Sequence, residues 1–340
     1  MLLRLVIQHG VLLRLFSPSV DPDEHDLESE EQKGWRQVRT NASLSCKSTL
    51  VSLIFPSDAH VHCYLLPRTI RRLVLGRDAI FDGYVDDLPP NLIHLKMSNG
   101  FNQPAVNLPF GLIHLTLGDN FKHALNKLPK TLTHLTLGDY NKPLNNLFFG
   151  LTHLVVNHSF NQPVNKLPSS LTHLVLGWDF NYPVDRLPSS LTSLTIGHKF
   201  NRPVDNLPKK LTHLTLGYVF DYPLDNLPPG LISLTLRGGY NRPLENLPDS
   251  LIYLTLSVGF NQPIDKLPKR LTHLTLGHNF NQSVDNLPRG LTHLVLGLCF
   301  NQQLHSLPSS LTHLGLHFRY PLSLDHLSPK LIVERSKSSF

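Results

Sequence analysis

The chain is poor in cysteine. Of its 340 residues only Cys46, Cys63 and Cys299 carry a thiol. An odd number with no recurring spacing excludes a disulfide framework and a zinc motif, and it suits a reducing compartment. An intracellular, cytoplasmic location is therefore expected. Charge is sparse as well: Asp, Glu, Lys and Arg make up 16% of the chain, with a formal net charge of +6. The basic residues are scattered among the acidic ones, so nucleic acid is not an expected partner. The apolar opening, residues 1–16, is interrupted by Arg4, His9 and Arg14. It is too short for a membrane span, and it lacks the cleavage site of a signal peptide. A nucleophile–base–orienter set, a phosphate loop and a metal signature are all missing. An enzyme is therefore not expected, nor a cofactor, nor a small-molecule ligand.

What is present is a repeat of twenty residues. One copy reads Phe160-Asn161-Gln162-Pro163-Val164-Asn165-Lys166-Leu167-Pro168-Ser169-Ser170-Leu171-Thr172-His173-Leu174-Val175-Leu176-Gly177-Trp178-Asp179. The aromatic that opens it returns at Phe180, Phe200, Phe220, Tyr240, Phe260, Phe280, Phe300 and Tyr320, and earlier at Phe81, Phe101, Phe121 and Tyr140. Fixed-period self-similarity dictates the architecture before any local reading does. Thr172, Leu174 and Leu176 alternate with His173 and Val175, which is the period of a strand with one buried face. Helical period is absent, and the two prolines of most copies exclude a long helix. Pro163 and Pro168 suit extended backbone on the opposite side, and Gly177 gives freedom to turn at the strand end.

Each repeat is therefore one coil, and equivalent strands stack in parallel at about 4.8 Å. The expected fold is mainly β, a parallel solenoid of about 13–14 coils. Phe160, Val164, Leu167, Leu171, Leu174 and Leu176 are the expected core columns. The expected boundaries are an N-terminal segment over 1–49 with an acidic linker, the solenoid over 50–333 and a polar tail over 334–340. A two-residue insertion near Arg77–Ile80 and a one-residue deletion before Tyr140 both fall between the Gly and the aromatic. That corner is therefore a loop.

The motifs Phe160-Asn161-Gln162-Pro163, Leu167-Pro168 and Leu171-Thr172-His173-Leu174 resemble the FNIP repeat, itself similar to the leucine-rich repeats. The resemblance runs over residues 65–331. Lys122 and Ala124, Phe148, and Ser283, Gln303 and Ser323 depart from it at single Asn or Pro positions. It implies a leucine-rich-repeat-like horseshoe used for protein binding, in proteins best known from social amoebae and the large DNA viruses that infect them. A viral source would place the protein in the host cytoplasm. Family members are sometimes fused to an F-box or a kinase; residues 1–49 are too short for a kinase and lack a helical F-box pattern.

Several columns face outward. His94, His114, His134, His153, His173, His213, His273, His293 and His313 share one position, with Arg72, Ser193, Ser233 and Tyr253 filling it elsewhere. Tandem copying spreads any residue, so recurrence alone does not mark a site. The Asn after each aromatic is expected to point inward and satisfy backbone groups at the turn. Function is sought where the repeat varies, just after the Gly column, because aromatics and Arg dominate interface hot spots. The candidate partner-binding residues are His173, Trp178, His198, His213, Tyr218, Tyr253, His273, Leu298 and Phe318. The expected function is a non-enzymatic scaffold that binds a partner protein through its strand face and adjacent loops. The alternatives are a substrate-recognition arm of a ubiquitin ligase recruited by residues 1–49, and a His-dependent pH-sensitive or metal-binding surface.

Overall fold

The structure, a computed structural model, describes residues 51–336 together with the backbone of two short strands, Leu3–Val6 and Leu12–Leu15, which pair antiparallel. The acidic linker and the polar tail beyond Ser336 lie outside the described residues. The chain forms two compact units. The first holds residues 1–142 and 146–151, the second residues 143–145 and 152–340.

In the first unit the strands Ser52–Phe55, Arg72–Leu75, His94–Lys96, His114–Leu117 and His134–Leu137 pair in parallel, each with the next. A second short parallel pair, His60–His62 with Ile80–Asp82, follows the corner in its first two coils. The two-residue insertion lies beyond that corner, not on it: the pairing of His62 with Asp82 is still twenty residues apart, whereas the 3-10 turns that follow, Cys63–Leu65 and Val85–Asp87, are twenty-two apart, so the extra residues are at Gly83–Tyr84.

In the second unit the strands run from His153–Val156 to His313–His317 and end with Ile332–Ser336. From His153–Val156 to His313–His317 the register is one coil to the next without a slip: His173 pairs with Ser193, Leu174 with Leu194 and Leu176 with Ile196; the last strand alone pairs one residue short, Ile332 with His313. A slip of one residue would turn the leucines out of the core, so the alternation enforces the register. Both units are parallel β solenoids, and no α-helix occurs among the described residues.

Each coil turns at defined places. Leu171 N–H donates to the Pro168 carbonyl at 3.1 Å, and Phe180 N–H to the Gly177 carbonyl at 3.3 Å. A further turn sits at Asn165–Lys166. The return side is thus a series of turns joined by short extended pieces rather than a continuous polyproline-like run.

Phe160, Val164, Leu171, Leu174 and Leu176 are buried as expected. Leu167 is only half-buried while Pro168 beside it is buried; in other coils the equivalent leucine is buried too, as at Leu207 and Leu287. The aromatic column is continuous: Phe160, Phe180, Phe200, Phe220 and Tyr240 stack with centroids 6.1, 6.1, 6.1 and 6.0 Å apart.

The Gly column has a different reason from the one inferred above. A Cβ on Gly217 would overlap the carbonyl oxygen of Gly197 in the coil before, so the close approach of these two coils demands the glycine. The column lacks glycine at Ser98, Asn157, Arg237, Ser257 and His317; after two of these the next residue takes a left-handed backbone, His158 with φ 22° and Gly238 with φ 87°.

The Asn column is also corrected in part. Asn161 Oδ1 accepts the Asn181 N–H at 3.0 Å, and Asn181 Oδ1 accepts the Asn201 N–H at 3.0 Å. The backbone is satisfied, but these side chains are half-buried or exposed rather than inward.

Candidate functional site

All nine candidate residues lie in the second unit. His173, His213, Tyr253 and His273 stand at the first position of their strands and face outward. Trp178, His198, Tyr218, Leu298 and Phe318 stand one residue beyond the Gly column, at the strand exit.

A threonine precedes most of the histidines, and the two side chains are joined. Thr172 Oγ1 and His173 Nδ1 are 2.9 Å apart, and the same contact recurs at Thr212–His213, Thr272–His273, Thr292–His293 and Thr312–His313 at 2.8–2.9 Å. The hydroxyl has a second neighbour. Thr292 Oγ1 lies 3.1 Å from the Thr272 carbonyl, and Thr312 Oγ1 lies 3.1 Å from that of Thr292. When the hydroxyl donates to the carbonyl, it accepts from Nδ1–H, and Nε2 is left as an outward acceptor. When it donates to Nδ1, Nε2 carries the proton and donates outward. Nδ1 is engaged in both cases, so the imidazole offers Nε2 to a partner in whichever form the partner selects.

The rings also stack. His153 and His173 are 4.1 Å apart centroid to centroid, His273 and His293 4.2 Å, and His293 and His313 4.3 Å, with planes within 10°. Burial first, then the charges of His293 and His313, lower the pKa of His273. In the first unit His94 is pushed down to about 3, mainly by burial and then by Arg72. Desolvation therefore outweighs like-charge repulsion in depressing these histidines. Among the described residues no group of three or more His, Cys, Asp or Glu is arranged to hold a metal ion.

At the exit corner three candidates come together. Trp178 stacks on His198 at 4.1 Å and His198 on Tyr218 at 4.9 Å, with planes within 7°. Trp178 is 52% exposed and Tyr218 47%. Tyr218 rests against Gly238, where any Cβ would strike its ring. Lys199 Nζ and Asp179 Oδ1 form an ion pair at 2.7 Å beside the stack. Leu298 and Phe318 stay apart from it, several coils on; Phe318 packs at 4.6 Å against His317, and the Arg319 guanidinium lies 5.4 Å from its centroid. Tyr253 continues the His column and meets His273 at 4.7 Å.

Two features escaped the sequence reading. Phe110 and Phe149, in the first unit, are both 80% exposed on the return side. They stand where most repeats put Ser, Lys or Arg, a departure visible in the alignment of the repeats. The second is Gly315, which stands where other strands put Thr or Val and leaves a gap in the outward column.

Residues 101–140, 160–239 and 240–319 match the model of the FNIP repeat. The chain belongs to the FNIP repeat family. Among solved structures it is similar to CroV588, a circular leucine-rich-repeat protein of a giant virus. The two are 38% identical over 82% of this chain, with a TM-score of 0.65. This FNIP chain spans about half, 48%, of that protein's length. It is also similar in fold to the internalin InlF of Listeria monocytogenes, 18% identical, covering 74% of this chain and 88% of that one, with a TM-score of 0.54. A chain of the Toll–Spätzle complex of Drosophila covers 80% of it, and 44% of that chain, at 17% identity and a TM-score of 0.53. No curated protein matches. No helix among the described residues is long and apolar enough to cross a membrane.

Proposed function

We propose that this FNIP array is a non-enzymatic scaffold that binds a partner protein through the strand face and exit corner of its second unit. One observation carries the reading: the exposed, coplanar stack Trp178–His198–Tyr218 stands beside the ladder of threonine-anchored histidines. Stacked rings are already ordered, so a partner covers apolar edges without freezing loose side chains. The contact set is His173, Trp178, His198, His213, Tyr218, Tyr253, His273, Leu298 and Phe318. Leucine-rich-repeat-like folds commonly serve protein interaction, and the fold of the Toll–Spätzle chain fits that use. The scarce, unpatterned cysteines favour a cytoplasmic setting. Residues 50–333, with the last strand running on to Ser336, are the binding array, and residues 1–49 and the rest of the tail are appended segments.

Affinity purification from the source cell tests this. Wild-type protein should recover a partner set that Trp178→Ala and Tyr218→Ala each deplete at least fivefold. Unchanged recovery with both variants overturns the placement of the surface.

A further inference from the structure

A cleft interrupts the strand face of the second unit. It has a volume of about 310 Å³ and is lined by His293, Val295, His313, Gly315, Glu334 and Arg335, among others. Its origin is a missing side chain. The outward column that reads Thr275 and Val295 continues with Gly315 and then Glu334. Gly315 has no Cβ to fill its place, and Glu334 sets a carboxylate where the coils before Gly315 in this unit have Thr or Val.

We propose that this cleft takes an arginine side chain of the partner protein. The inference rests on the strand face being the binding surface and names the chemistry of one part of it. Glu334 supplies a formal negative charge. His293 and His313 supply two nitrogens: their Nδ1 atoms are engaged by Thr292 and Thr312 at 2.9 Å, which leaves Nε2 for a ligand. A donor in the cleft selects the form in which Nε2 accepts, and the threonine hydroxyl accommodates this by donating to the carbonyl of the preceding coil.

The two imidazoles are parallel within 5° and 4.3 Å apart. In-plane lone pairs on parallel rings run side by side and do not converge on a point, so one small metal ion does not satisfy both. A guanidinium has five N–H donors spread over a plane, which suits two parallel acceptors and a carboxylate. The methyl groups of Val295 line the same cleft and offer contact to the aliphatic stem. Arg335 does not compete. It stands opposite Leu316, in the inward column, and its Nη1 donates to the Tyr320 carbonyl at 3.4 Å.

The probe is N-acetyl-arginine amide, titrated into the full chain while the imidazole resonances of His293 and His313 are followed by NMR; the neutral isostere N-acetyl-citrulline amide is the control. Saturable shifts are expected with the arginine probe and none with citrulline. Gly315→Thr restores the residue of neighbouring coils, and its Cβ would sit 3.2 Å from a Val295 methyl, a contact a small shift relieves. It should abolish the shifts while leaving the fold intact, and Glu334→Gln should weaken binding at least fivefold. Equal response to citrulline, or unchanged binding in Gly315→Thr, overturns the proposal. Saturable shifts with Ni²⁺ or Zn²⁺ that exclude the arginine probe also overturn it, in favour of a metal site. Failure here with partner recovery still lost in Trp178→Ala leaves the scaffold reading standing. Arginine binding with recovery unchanged in Trp178→Ala and Tyr218→Ala sinks only the exit-corner placement.

Discussion

The second unit carries two kinds of ring ladder, one inside and one outside. The inner rings, from Phe160 to Tyr240, repeat at 6.0–6.1 Å and are buried. The outer imidazoles repeat at 4.1–4.3 Å, tighter than the roughly 4.8 Å between strands. Both arise from one repeated residue, yet they differ in what surrounds them. The inner ring is held by contacts on every side, so its substitution is paid for in stability. The outer ring is held by one hydroxyl and its neighbours, so its substitution leaves the fold standing and alters what a partner meets.

The comparison breaks first on Phe200→Ala. Removing a ring stacked above and below should cost about 3–5 kcal/mol in urea unfolding, with Leu174→Ala at about 2–5. A cost under 1 kcal/mol would place the ring outside the core. Gly217→Ala comes next, at about 1–3 kcal/mol, because the added methyl overlaps the preceding coil. Acidification should act on the outward histidine column that the first unit shares, at His94. His94 has a folded pKa of about 3 against an ordinary 6.5, so the unfolded chain binds its proton first. The stability it contributes is full above pH 6.5 and is lost as pH falls from 6.5 toward 3. His94→Gln should flatten the urea midpoint across that window, and an unchanged pH profile would contradict the assignment. Trp178→Ala should cost less than about 1 kcal/mol, as a half-exposed position does.

The smallest effect blurs the two ladders. Tyr240 belongs to the inner column, but its hydroxyl is buried without a hydrogen-bond partner, and burial pushes its pKa up to about 12. Tyr240→Phe should be neutral or stabilising by up to about 1 kcal/mol, measured by thermal unfolding.

Most of the fold was legible in the sequence because the period of twenty residues and the alternation within Leu171 to Leu176 are one-dimensional signals. They lead directly to parallel strands in register and to buried Phe160, Leu171, Leu174 and Leu176. Pro168 was missed because a proline in a turn faces inward or outward according to three-dimensional turn geometry, not hydrophobicity. The glycine column was found for the wrong reason, since the atoms it makes room for belong to the coil twenty residues before it. The outward histidines were legible as a column. Their anchoring was not: Thr172 lies beside His173 in sequence, but its hydroxyl meets Nδ1 only because of the backbone bend where Thr172 and His173 N–H both reach the Thr152 carbonyl. The exit-corner stack Trp178–His198–Tyr218 was visible as three neighbouring large residues, whereas the cleft at Gly315 needed the side-chain gap to be seen beside Glu334.

The contact of Gly217 with Gly197 has a consequence for how such an array changes length. Backbone lies directly on backbone there, and a coil shortened or extended by a residue within its strand would put a side chain into that seam. The tolerated irregularities sit past it, at Gly83–Tyr84 and at the bend before Tyr140. Copy number is thus quantised: recombination that adds or removes a whole coil preserves every seam. A lineage can lengthen or trim its binding face in steps of one strand, while each new copy is free to diverge only at its outward positions and its corner.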